Sequence, residues 1–112
     1  LYDRPDDFVR VIDRGGISAV RIDPLRLGGL TPARKVAAAA ELKQIAVYPV
    51  RLPEVGAHLS AGVVYGRTCE YVDWFAGLFD GGPRFEVGQL VVPSDPGLGI
   101  SVNDAAAAKY RV

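Results

Sequence analysis

From Pro5 to Val72 the chain alternates helix-forming stretches with short β-branched runs, in the order α-β-α-β-α-β. Strands joined through a helix must run parallel, because each crossover returns the chain to the same end of the sheet. Three parallel strands are therefore expected, at Ile17–Ile22, Ile45–Val50 and Arg67–Val72. The helices between them carry ordinary start and stop signals. Pro5 follows an acidic stretch and precedes Phe8, Val9, Val11 and Ile12, with Gly15-Gly16 as the stop. Thr31 reads as an N-cap with Pro32 at the first helical position, ahead of Ala33–Gln44, a run of strong helix formers. Pro53 opens a third helix expected to reach Val64, with Gly66 after its last turn.

Beyond Trp74 the pattern changes. Asp80-Gly-Gly-Pro83 reads as a turn, and Arg84–Glu86 and Gln89–Val92 around Val87-Gly88 read as a hairpin. Pro93–Gly99 is an irregular loop, and Asn103 or Asp104 caps a short helix through Tyr110. This tail is too short and too polar to be a domain of its own.

Composition narrows the function classes. At 112 residues and 49% apolar, the chain has enough material for one modest core. Thirteen basic residues against thirteen acidic ones give no charge surplus to attract nucleic acid or an anionic membrane, so neither partner is expected. One cysteine and one histidine make no metal-ligand cluster of the usual spacing and no internal disulfide. A reducing, cytoplasmic setting is the expectation, since no run approaches the roughly 20 apolar residues of a membrane span. The absence of methionine suggests a piece of a longer protein or a processed chain.

Asp23 is the first candidate for chemistry, because it closes a predicted parallel strand, and ligands bind beyond the carboxyl ends of such strands. Its other reading is a carboxylate that caps the following loop. Glu70 sits in the same relation to the third strand and could instead form an ion pair with Arg67 or Arg51. Arg51, just past the second strand, could contact an acidic substrate. Glu54 and His58 lie at i,i+4, a spacing that suits a hydrogen-bonded pair better than a two-ligand metal site. Gly28-Gly29 before a helix is a poor match to a phosphate cradle.

Four segments together resemble the mandelate racemase/muconate lactonizing enzyme group of the enolase superfamily: Asp23–Thr31 (Asp-Pro-Leu-Arg-Leu-Gly-Gly-Leu-Thr), Pro53–Leu59, Glu70–Trp74 and Pro93–Ile100. The resemblance covers essentially the whole chain. It implies the carboxyl-terminal portion of a (β/α)8 barrel, strands six to eight, in residues 1–76, with residues 77–112 returning to a capping region. At Gly28-Gly29 it implies a tight turn into the following helix. It also implies a parent enzyme that abstracts the proton α to a carboxylate, such as an acid-sugar dehydratase or racemase, with Mg²⁺ stabilising the enediolate. The metal ligands and lysine base of that family precede Leu1, so no metal is expected on this chain alone.

By the same resemblance, Asp23 matches the aspartate that orients a histidine base, and Glu70 matches a glutamate that donates a hydrogen bond to the substrate, a role that needs a buried carboxyl. The histidine's position is Val50, which cannot accept a proton. Whether the isolated chain is an enzyme is thereby left open. The rival expectations are a non-enzymatic half-barrel that associates through exposed sheet edges, as a homo-oligomer or with another chain, and a truncated product without activity.

Overall fold

A computed structural model describes residues 2–111. The first helix, α1 (Pro5–Arg14), has proline at its start, Asp6 and Asp7 in its first turn and Arg14 in its last, which complements the helix dipole. Phe8 and Ile12, one turn apart, are its buried face. Strand β1 (Ala19–Ile22) alternates exposed Ala19 and Arg21 with buried Val20 and Ile22. Helix α2 (Leu30–Leu42) starts two residues before the proline, and Gly29, with φ +121°, takes the cap position. Thr31 therefore lies inside the helix rather than capping it.

Strand β2 (Ala46–Pro49) pairs in parallel with β1, from Ala19↔Ala46 to Ile22↔Pro49. Helix α3 (Pro53–Ala61) is shorter than expected and ends at Gly62. The expected third strand is reduced to an extended segment with a single parallel bridge, Val47↔Gly66. Val47 N–H still donates to the Tyr65 carbonyl, Arg67 N–H to Val47 and Glu70 N–H to Pro49. The segment thus runs beside β2 in the expected direction, without the continuous ladder that would make it a strand.

One face of this sheet is packed by the helices. Val20, Ile22 and Val47 meet Ala33, Val36, Ala37 and Ala40 of α2, joined by Phe8 and Ile12 of α1. Alanines on α2 let the helix lie close to the sheet, and Ile22, Val36 and Val47 are fully buried. Arg21 emerges on the opposite face, so chemistry and core are on different sides of β1.

The tail holds more pairing than its sequence suggests. After a 3-10 turn (Ala76–Leu78), β3 (Phe79–Gly81) pairs antiparallel with β6 (Ile100–Val102), while β4 (Arg84–Glu86) and β5 (Gln89–Val91) form the expected hairpin. Val87 and Gly88 both have positive φ, the conformation a two-residue hairpin turn requires. Asp80 and Gly81 belong to β3, so the predicted turn over 80–83 is reduced to Gly82 and Pro83, two residues later than expected. Helix α4 (Asp104–Ala108) is capped by Asn103, whose Oδ1 accepts the Ala106 N–H at 2.9 Å. Among the described residues no helix is long and apolar enough to cross a membrane.

Candidate active site

Val50 N–H donates to the Ile22 carbonyl at 2.9 Å, which fastens the carboxyl ends of β1 and β2 side by side. Asp23 and Arg51 follow directly, and the bond from Glu70 N–H to Pro49 brings the third chain segment to the same rim. The three candidate residues chosen from the sequence therefore converge. They face a cavity of about 540 Å³ whose wall also includes Arg21, Val50 and Trp74.

Asp23 makes the loop cap weighed for it. Its Oδ1 accepts the Leu25 N–H at 3.0 Å and the Arg26 N–H at 3.4 Å, closing the loop after β1. Its Oδ2 is buried, with the Arg51 Nε at 3.0 Å. The angle there is too poor for a hydrogen bond, so the attraction is between charges. Glu70 accepts from two donors, Arg21 Nη2 at 2.7 Å and the Arg51 backbone N–H at 3.0 Å. The ion pair expected with Arg67 or Arg51 is thus made with Arg21, and Arg51 contributes through its backbone. The Glu70 side chain is 38% exposed in this chain. Arg21, Glu70, Arg51 and Asp23 form a chain of alternating charge along the rim.

Arg51 has φ +77°, a conformation that costs an L-residue about 1–2 kcal/mol. That backbone turns its N–H toward Glu70 while its guanidinium lies over Asp23. Strain of this kind persists where the surroundings hold the residue in place, and it concentrates at functional sites. Arg51→Gly is expected to be more stable than Arg51→Ala by about 1 kcal/mol in urea denaturation, since both lose the guanidinium and only glycine is relaxed at this φ.

The i,i+4 pair on α3 does not form. His58 Nε2 lies 3.0 Å from the Leu98 carbonyl and ties α3 to the 93–99 loop, while Glu54 is buried with Oε2 unpartnered. His58 takes no part in the wall of the rim cavity. Gly28 and Gly29 have positive φ and make the tight turn into α2.

Cys69 sits beside Glu70 and against Gly56. Burial, with the neighbouring Glu70 and Glu54 charges, pushes its thiol up to about 11 from 9.0. At pH 8 this lowers the thiolate fraction about 100-fold, and the greater nucleophilicity of a more basic thiolate recovers about 10-fold. Iodoacetamide should therefore modify Cys69 about 10-fold more slowly in the folded chain than in urea. The same shift means that the proton is bound more tightly in the folded state. Stability from this group is complete below pH 9 and falls as pH rises through 9 to 11.

Residues 1–106 match the family described as Enolase C-terminal domain-like. This chain belongs to that family. The enolase-like chain is 32% identical to a D-galactonate dehydratase family member from Catenulispora acidiphila, over 93% of its own length and 27% of the relative's. It superimposes on L-talarate dehydratase from a Polaromonas species, complexed with Mg and L-glucarate, with a TM-score of 0.87, 27% identity and coverage of 94% and 28%. An enolase from Pantoea ananatis with bound D-gluconate and Mg gives a TM-score of 0.80 at 30% identity, covering 96% and 28%. The chain thus spans less than a third of the relatives it matches.

The magnesium of those structures finds no seat among the described residues here. No three His, Cys, Asp or Glu side chains are grouped to hold a metal ion, and both rim carboxylates already face guanidinium groups. Arg21 was not singled out in the sequence as a site residue. Its signal was there in the alternation of β1, which places it on the face opposite the core.

Proposed function

We propose that this chain is the carboxyl-terminal part of a magnesium-dependent acid-sugar dehydratase of the enolase superfamily, supplying strands six and seven and the extended eighth segment of its barrel. The chain is incomplete as a catalyst alone. The observation that carries this reading is the convergence of Asp23, Arg51 and Glu70 on one cavity at the carboxyl ends of parallel strands, in a chain whose relatives include complexes with acid sugars and Mg.

Within that enzyme, Arg51 binds a substrate carboxylate as a pre-oriented fork, and Asp23 holds its guanidinium from behind. Glu70 fixes both Arg21 and the Arg51 backbone, so the rim is rigid before substrate arrives. Val50 carries no group that can take a proton, so abstraction α to the carboxylate falls to a base outside this chain. Elimination of water with a single base fits that geometry better than two-base racemisation. The magnesium belongs to the same outside part, where it would neutralise the enediolate.

The test is turnover of an aldonate and aldarate panel with Mg²⁺. The chain alone should form no 2-keto-3-deoxy acid, and a fusion carrying the preceding barrel of the Catenulispora relative should form one that Asp23→Asn abolishes. Turnover by the chain alone would overturn the claim of incompleteness.

A second reading, a half-barrel that works by associating with another chain, is favoured by the sheet edge. Among the described residues β1 pairs only with β2, and Tyr2 and Trp74 are exposed beside the cavity. A sedimenting monomer with cooperative unfolding would defeat it.

A further inference from the structure

The wall of the rim cavity includes three arginines, Arg21, Arg26 and Arg51, against two acidic residues, Asp23 and Glu70. Both carboxylates are already taken. Glu70 pairs with Arg21 at 2.7 Å and Asp23 with Arg51 at 3.0 Å. Arg26 has no acidic partner within 4.0 Å among the described residues, so the cavity keeps one uncompensated positive charge. Its backbone is not adrift. The Arg26 N–H donates to Asp23 Oδ1 at 3.4 Å, so the carboxylate that holds Arg51 also fixes the turn from which Arg26 projects.

We propose that Arg26 is a substrate-binding residue, receiving a carboxylate of the ligand in the rim cavity. This rests on the acid-sugar reading above for the ligand's identity, but not for its charge. An unpaired guanidinium offers five donors in a planar fork, which matches a carboxylate with two parallel hydrogen bonds. Entry of such a group would bring the cavity to neutrality, whereas a neutral or cationic ligand would leave or enlarge the imbalance. Arg21 is held by Glu70 and positions the cavity wall, and Arg51 meets its ligand carboxylate with its charge already shared with Asp23. Arg26 is the group with binding capacity to spare.

The experiment is an NMR titration of the full 112-residue chain, following the arginine Nε–Hε signals, with sodium D-gluconate, sodium propionate and, at matched ionic strength, sodium chloride. The expected result is saturable movement of the Arg26 signal with gluconate, none with chloride, and no movement of Arg34 on α2. Arg26→Gln should weaken gluconate binding at least about 10-fold with the backbone spectrum preserved, and Arg26→Lys should fall between the two because it keeps charge without the fork. Equal affinity in Arg26→Gln, equal response to chloride, or no saturable shift would overturn the proposal. Propionate binding as tightly as gluconate, with the same loss in Arg26→Gln, would uphold the carboxylate subsite while removing support for an acid sugar as its ligand.

Discussion

Replacing Gly66 with alanine is expected to lower stability by about 3 kcal/mol, and the melting temperature by roughly 12 °C. A Cβ at this position would strike the Ser60 carbonyl, with the Ser60 carbonyl carbon at 2.8 Å and Cα at 3.0 Å behind it. These are backbone atoms near the end of α3 and cannot swing aside as a side chain could. Relief requires α3 or the 65–67 segment to move. That movement breaks the bonds from Val47 N–H to Tyr65 and from Arg67 N–H to Val47, each worth about 1 kcal/mol. Gly66 also makes the only bridge between β2 and the third segment among the described residues. Gly77→Ala is the control, with nothing within 4 Å of its added methyl, and should be neutral or slightly stabilising. Urea denaturation of both variants decides the matter, and a Gly66→Ala loss below about 1 kcal/mol would show that the close approach is not obligatory.

The elements legible in the sequence were those specified by local chemistry. Pro5, Pro32 and Pro53 each lie within the first turns of a helix, and the alternation in β1 separated core from cavity. Val87-Gly88 fixed the hairpin, and the last cap was narrowed to Asn103 or Asp104, of which the structure uses Asn103. What escaped was decided at a distance. The third segment has the composition of a strand, yet a ladder depends on register with its neighbour, and only Gly66 aligns with Val47 closely enough to bridge. The β3–β6 pair joins residues about twenty positions apart, and Asp80-Gly81-Gly82 gives a turn signal that masks it. In the site, the positions of Asp23 and Glu70 followed from strand ends, but the partner of Glu70 did not. Arg21 is 49 residues away and reaches it only because β1 and the third segment flank β2. Nor does arginine announce a positive φ, so the turned backbone of Arg51 carried no sequence signal.

Ile22→Ala should cost about 3 kcal/mol, and it should disturb the rim as well as the core. Ile22 is 0% exposed, packed among Val20, Val47 and the alanine face of α2, and truncation removes buried methyl groups from a site closed by backbone on one side and helix on the other. Ile22→Val should cost only about 1 kcal/mol, because a single methylene leaves a gap that neighbours can share. The coupling to function runs through one hydrogen bond. The Ile22 carbonyl accepts from Val50 N–H, and the residues after these two are the partners Asp23 and Arg51. A backbone that settles into the vacated volume shifts the end of β1 relative to β2, and so changes the 3.0 Å approach of the Arg51 Nε to Asp23. The Arg51 Nε–Hε signal should move in Ile22→Ala and hold its position in Ile22→Val. If Ile22→Ala lost its stability with the Arg51 signal unmoved, core and rim would be mechanically independent, and the placement of Asp23 would have to come from its own loop, through the Leu25 and Arg26 N–H groups alone.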